Sequence, residues 1–313
     1  MNEELKIKIE DLDVQINKDP SNTKLRRIFA DTLLEGELLE RALEQYSYLV
    51  NIFAEDSALY FNIGIIHEKM KNLILAEKSY LKAVELSSDD PDYHYNLACL
   101  YEQKGEVNLA IDEYLTTIEL DENDPNSHFN LACLYRKQNM SEKAVFHLQT
   151  AIKLNPDDTY AHFYLAYEYK KAGNIESALE EYNTVTALNP DYSWAYYNIA
   201  CILFKQGKVN EAIQNLEKTI SLNPKDIDAY KTLSAIKMSA NDRDAALNVL
   251  ETAVMKNPDN GDAHYNIALM YKVINEIDDA VFHFERALLY KDTLSVSQSQ
   301  VQIELSSVNN LTL

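Results

Sequence analysis

His94, His128 and His162 recur at an interval of 34 residues, and imidazoles on so regular a spacing are the first residues to weigh as metal ligands. Equivalent positions of successive helical modules stand roughly 8–10 Å apart, whereas ligands of one zinc ion must each lie ~2.0–2.1 Å from it. The series is therefore expected to pack between helices. No histidine follows a glutamate by three residues, so a carboxylate-bridged di-iron arrangement has no support either. Cys99, Cys133 and Cys201 share one position of the same interval; being odd in number and set in an apolar pattern, they read as reduced thiols of a cytoplasmic protein rather than a disulfide framework. Ser79-Tyr80-Leu81-Lys82 matches the Ser-x-x-Lys pattern of some acyl-transfer enzymes but lies inside a helical pattern. The acidic run Glu119, Asp121, Glu122 and Asp124 lacks the glycine and terminal glutamate of a calcium loop and is expected to be a solvated turn. No phosphate-binding glycine loop, Cys-x-x-Cys, Gly-x-Ser-x-Gly or His-Glu-x-x-His occurs. The chain thus reads as a non-enzyme with no metal and no cofactor.

The elements that would carry these residues follow from the same interval. Asn96-Leu97-Ala98-Cys99-Leu100-Tyr101 returns unchanged at Asn130-Leu131-Ala132-Cys133-Leu134-Tyr135, and residues 23–294 divide into eight units without insertion: 23–56, 57–90, 91–124, 125–158, 159–192, 193–226, 227–260 and 261–294. Within each unit, position 7 is large and apolar, position 8 is small, and position 20 is alanine in every copy, from Ala42 to Ala280. Apolar residues at 7, 8 and 11, then at 20, 24, 27 and 28, mark two amphipathic helices per unit. Position 15 is Gly or Asn in six units (Gly105, Asn139, Gly173, Gly207, Asn241 and Asn275), which predicts a left-handed residue closing the first helix. The second helix is expected to stop at Asn155-Pro156, Asn189-Pro190, Asn223-Pro224 and Asn257-Pro258. Residues 1–22 carry Leu5, Ile9, Leu12 and Ile16 at helical spacing and read as an N-terminal capping helix. In 295–313, Val301, Leu305 and Val308 predict a second capping helix, with residues 309–313 frayed.

Twenty-nine Lys and Arg against 50 Asp and Glu leave a net charge of −21, which disfavours nucleic acid and anionic lipid as partners. The start lacks a basic region followed by an apolar run, and no segment reaches the roughly 18–20 apolar residues of a membrane span.

The repeat resembles the tetratricopeptide repeat family: the large-then-small pair at 7 and 8, Tyr at 11 (Tyr101, Tyr135, Tyr169, Tyr271), Ala at 20 and an aromatic at 24 (Tyr46, Tyr80, Tyr114, Tyr182, Phe284). The resemblance implies an all-α, right-handed superhelical solenoid whose first helices line a concave groove that holds a peptide or partner protein. It further implies that positions 2, 5, 6, 9, 12 and 13 face that groove. Position 6 is Asn62, Asn96, Asn130, Asn198 and Asn266, interrupted by Tyr164 and Thr232; this is similar to the asparagine ladder in the repeat domain of O-linked N-acetylglucosamine transferase, whose catalytic domain has no counterpart here. A carboxamide donates and accepts, so one per repeat could pair with an extended peptide backbone. The lysine, asparagine and arginine positions of the family's carboxylate clamp fit no register. Units five and six are more distinctive, with Tyr160, Phe163, Tyr167, Trp194, Tyr197 and Phe204 at groove positions and Arg136, Lys137, Lys170, Lys171 and Lys205 at positions 12 and 13 of units four to six. Aromatics fringed by cations suit a partner segment carrying apolar and acidic residues. The alternative is a targeting or assembly subunit that docks by its outer or end surfaces. Self-association is left open.

Overall fold

The computed structural model describes residues 3–309 and holds eighteen α-helices, with no strand among the described residues. The chain separates into two compact units, one ending at Pro156 and the other starting at Asp157, and each is described by itself.

The first unit comprises α1 (Glu3–Lys18), α2 (Thr23–Glu35), α3 (Leu39–Val50), α4 (Ser57–Lys69), α5 (Leu73–Leu86), α6 (Pro91–Lys104), α7 (Val107–Leu120), α8 (Pro125–Lys137) and α9 (Ser141–Leu154). The second comprises α10 (Thr159–Ala172), α11 (Ile175–Leu188), α12 (Ser193–Lys205), α13 (Val209–Leu222), α14 (Ile227–Ser239), α15 (Arg243–Lys256), α16 (Gly261–Val273), α17 (Ile277–Leu289) and α18 (Gln298–Asn309). Within each unit every helix packs on the next in sequence. From α2 onward each first helix begins at position 1 of the 34-residue frame, and each second helix at position 17.

The turn between paired helices is made the same way in all eight repeats. Gly105, Gly173, Gly207, Asn139, Asn241 and Asn275 have positive φ, as expected, and so do Glu37 (φ 57°) and Lys71 (φ 62°) in the first two repeats. The residue after each closes a bond back to the last turn of the first helix: Leu38 N–H donates to Leu33 O, Asn72 N–H to His67 O and Glu106 N–H to Tyr101 O. The Asn-Pro stops act as the sequence predicts. Asn155, Asn189, Asn223 and Asn257 leave helical geometry at φ between −130° and −135°, the extended backbone that a following proline demands. Pro91 and Pro125, by contrast, open α6 and α8 at a position where no N–H is needed, behind Asp90 and Asp124 caps.

Packing follows the small-residue rule. All eight position-20 alanines are fully buried, and Phe29, Leu97, Leu131, Leu165, Ile199, Leu233 and Ile267 at position 7 are buried beside them. At position 8, Gly64 lies under the Tyr80 ring, where an added Cβ would stand 2.5 Å from Cε1. Ile9, Leu12 and Ile16 of α1 enter the same core as Phe29, Leu33 and Tyr46, while Val301 and Val308 of α18 join Phe284 and Ala287 of α17. Residues 310–313 of the tail read as frayed, together with Met1 and Asn2 of the N-terminal segment, lie outside the described residues; Asn309 is the last residue of α18.

Candidate functional site

The frame puts the aromatic series of repeats five and six on α10 and α12. Tyr160 (58% exposed) and Trp194 (54%) open these helices, and Tyr167 and Phe204 are also exposed further along. Phe163 and Tyr197 are half-buried. Phe163 packs edge-on against Tyr182, its ring 5.6 Å away, and lies 5.1 Å from the Tyr192 ring, and the Tyr197 hydroxyl lies 3.4 Å from Thr232 Oγ1. Four of the six therefore present open rings, and the other two support them.

The asparagines at position 6 share a place but not a role. Asn62 hydrogen-bonds the Tyr46 hydroxyl, and Asn130 Nδ2 donates to the hydroxyls of Tyr95 and Tyr114, each at 3.2 Å. Asn96 Nδ2 donates to Asp92 O in its own helix at 2.8 Å. Asn198 is buried at 6% exposure; its Nδ2 donates to Trp194 O at 2.7 Å and its Oδ1 accepts from Lys170 Nζ at 2.6 Å. Asn266 on α16 is half-buried. A ligand backbone would have to displace an internal bond at each of the first four.

The cations divide between the units. In the first, Lys137 is exposed and paired with Glu102 at 2.7 Å, an ion pair of the solvated kind that contributes little, and Arg136 is half-buried on α8. In the second, Lys171 and Lys205 are exposed and Lys170 is half-buried. Lys170 Nζ stands 5.5 Å from the Tyr167 ring centroid. Burial holds its pKa below the ordinary lysine value; nearby Cys201 opposes the shift, and the neighbouring Lys205 charge adds to it. A cavity of about 490 Å³ opens here, lined by Lys170, Lys205, Cys201, Ile175, Ile202 and Glu176. The three cysteines are half-buried and form no disulfide; burial raises the Cys201 thiol despite Tyr197 and the two lysines.

The histidines at position 4 are buried, as packing required, but each has a partner that the 34-residue interval hides. His94 Nδ1 meets Glu113 Oε2 at 2.6 Å and His162 Nδ1 meets Glu181 Oε2 at 2.5 Å. His128 Nδ1 meets His147 Nδ1 at 3.0 Å, and His264 Nδ1 meets His283 Nδ1 at 2.8 Å. The signal that would have found them is the 19-residue interval within one repeat, position 4 to position 23. In the two imidazole pairs the ring centroids are 5.2 and 5.0 Å apart, close to the most that such short nitrogen contacts allow. The rings meet nose to nose, which suits a shared proton rather than two lone pairs converging on a metal at ~2.0–2.1 Å. Among the described residues no group of three or more His, Cys, Asp or Glu is placed to hold a metal ion.

The second helices of the first unit also expose apolar side chains in places. Ile74 is 77% exposed, with Leu75 and Leu81 beside it on α5 and Leu109 on α7, and a cavity of about 550 Å³ is lined by Tyr60, Ile63, Lys78, Leu81, Lys82 and Glu85. Among the described residues no helix is long and apolar enough to cross a membrane.

Paired helices closed by a left-handed residue, stacked through invariant alanines and presenting first-helix side chains as an open wall, define a helical-repeat protein. Family models described as tetratricopeptide repeat or TPR repeat match residues 57–90, 79–112, 100–139, 125–158, 147–180, 166–207 and 203–265. The chain belongs to the tetratricopeptide repeat family. Solved structures of similar fold include YrrB, described as a TPR protein with an unusual peptide-binding site (TM-score 0.54, 24% identity, 59% of this chain and 95% of that one). Another is the C-terminal part of a TPR repeat-containing protein from Cytophaga hutchinsonii (TM-score 0.67, 16% identity, 76% of this chain and 98% of that one). Yeast Tom70 is a third (TM-score 0.55, 15% identity, 91% of this chain and 60% of that one). A comparison with curated protein sequences finds no match.

Proposed function

We propose that the chain is a non-catalytic interaction scaffold that holds a peptide or protein segment in the groove formed by first helices, with repeats five and six as the principal contact. The observation that carries this reading is the open aromatic wall of Tyr160, Tyr167, Trp194 and Phe204 beside Lys170, Lys171 and Lys205. Large exposed rings are costly to leave in water and are the residue types that dominate binding hot spots when a partner covers them. The peptide-binding site described for YrrB, a protein of like fold, supports the class of ligand. Three unpaired cysteines support a reducing compartment, the cytoplasm. Trp194→Ala combined with Lys171→Glu should abolish capture of the partners that the parent protein recovers from lysate; unchanged capture would refute the assignment.

A second reading is favoured by the exposed apolar residues of α5 and α7, Ile74, Leu81 and Leu109. Here the chain is a targeting or assembly subunit that docks by its outer surface. Ile74→Glu with Leu81→Glu would then abolish association while the Trp194 variant stays silent.

A further inference from the structure

Several cations of this acidic chain have a carboxylate at hand. Lys69 pairs with Glu37, Lys104 with Glu77 and Glu106, Lys137 with Glu102, and Lys272 with Glu304. Lys170 and Lys205 do not: among the described residues neither makes an ion pair, although both line the same cavity and the Lys205 charge acts on Lys170. Glu176 lines that cavity too, but it sits in the first turn of α11, where the helix N-terminus accounts for an acid. Two ammonium groups facing one space, over a floor of Ile175, Ile202 and the Cys201 thiol, are incomplete without an anion. Each ammonium is a compact point charge that pairs with a carboxylate oxygen through a single N–H donor, and a carboxylate is the anion that any unmodified segment carrying Asp or Glu supplies.

A relay of contacts links the cavity to the helices of the aromatic wall. Lys170 Nζ is held by Asn198 Oδ1, Asn198 Nδ2 is held by Trp194 O, and the same ammonium stands over Tyr167. Tyr160 and Lys170 lie on one helix ten residues apart, about 15 Å at 1.5 Å per residue. An extended chain covers that span in roughly four to five residues at ~3.3 Å each.

We propose that the Lys170–Lys205 cavity receives the side-chain carboxylate of an Asp or Glu in the partner segment, four or five residues from an apolar side chain that seats on Tyr160 and Trp194. This rests on the groove reading above and names the partner's chemistry.

The test uses the full chain and acetylated, amidated peptides of sequence Leu-Ser-Ser-Ser-Glu and Leu-Ser-Ser-Ser-Gln. Binding is followed by calorimetry and by emission from Trp194, the single tryptophan. The Glu peptide should bind the parent about tenfold more tightly than the Gln peptide, as one charge-assisted hydrogen bond supplies. That preference should vanish in Lys170→Met/Lys205→Met, with circular dichroism confirming the fold, while binding of the Gln peptide is retained. Moving the glutamate next to the leucine should remove the gain. Equal binding of the Glu and Gln peptides to the parent, or no binding of either, would overturn the proposal. A Gln peptide with a free C-terminus that matches the Glu peptide would also overturn it, in favour of a chain terminus. Calorimetry with Trp194→Ala separates the two levels: loss of both peptides upholds the groove reading whatever the charge preference, and undiminished binding sinks the groove reading itself.

Discussion

Acid should loosen repeats four and eight before their neighbours, because their buried imidazoles face each other. In repeat eight, His264 Nε2–H donates to Pro258 O at 2.9 Å, so its Nδ1 carries a lone pair that accepts the Nδ1–H of His283. His128 is held alike, by the Glu122 carbonyl. Each pair holds one proton between two nitrogens, and a second would set two N–H groups against one another. Burial, with the partner imidazole adding to it, lowers the pKa of His147 and of His283 to about 4. The charges around them are mixed: Asp124 and Lys143 act on the pair of repeat four, and Asp259, Asp279 and Arg286 on the pair of repeat eight. The unfolded chain, with histidines near their ordinary value of 6.5, binds more protons than the folded one between about pH 6.5 and 4. Stability is therefore fully present above pH 6.5 and is lost as pH falls toward 4. At 1.36 kcal/mol per pKa unit the full shift corresponds to roughly 3 kcal/mol for each pair, and about 2 kcal/mol after allowing for partial exposure.

Because each repeat is coupled mainly to its neighbours, the loss should be local. Hydrogen exchange read helix by helix between pH 7 and 5, corrected for the intrinsic rate, should show α8, α9, α16 and α17 losing protection first. His147→Glu and His283→Glu recreate the His–Glu pairing of repeats three and five, where Nδ1 to Oε2 is 2.6 and 2.5 Å. In that variant a protonated imidazole meets a carboxylate, so the same helices should hold or gain protection over that window. Parallel loss in parent and variant would refute the shared-proton account.

Two further outcomes concern the frame itself. Gly64→Ala drives a methyl into the Tyr80 ring, whose hydroxyl is tied to Glu68 at 2.8 Å; overpacking of ~1–3 kcal/mol, less ~0.5–1 kcal/mol of helix preference, predicts a net loss of about 1 kcal/mol in urea denaturation. A gain would show that the ring is free to swing. Lys71→Gly relieves a left-handed residue at φ 62° and should stabilise by a few tenths to about 1 kcal/mol, since ~1–2 kcal/mol of steric cost outweighs the added freedom of the unfolded chain; an unchanged midpoint would mean that the strain is absorbed elsewhere.

Helix positions were legible because they depend on residue type at a fixed count. Ala42 through Ala280 mark the crossing, the Asn-Pro pairs mark the stops, and both lie where the frame requires. The left-handed turn was legible only where Gly or Asn advertises it. Glu37 and Lys71 adopt it because the bond from the next residue back to the first helix is the same in every repeat, a constraint imposed by docking that outweighs intrinsic preference. The imidazole pairs are not legible at the 34-residue interval, which relates like positions of different repeats, whereas contact falls between unlike positions of one.

The asparagines show most plainly where a periodic reading stops. Five copies occupy position 6, yet what each side chain bonds is decided by the residue that faces it. Asn62 and Asn130 cap tyrosine hydroxyls supplied by position 24 of the preceding repeat, Tyr46 and Tyr114. Asn96 stands in the same relation to Tyr80, but that hydroxyl donates to Glu68 instead, and Asn96 turns to its own helix at Asp92. Asn198 is drawn inward by Lys170. The lysine that orients this asparagine is also the cation left without a carboxylate beside the aromatic wall, so Lys170→Met should free Asn198 Oδ1 as well as remove the charge. The Gln peptide is the control that distinguishes those two effects: binding strengthened by a released amide would appear with Gln and Glu alike, whereas loss of a carboxylate contact appears with Glu alone.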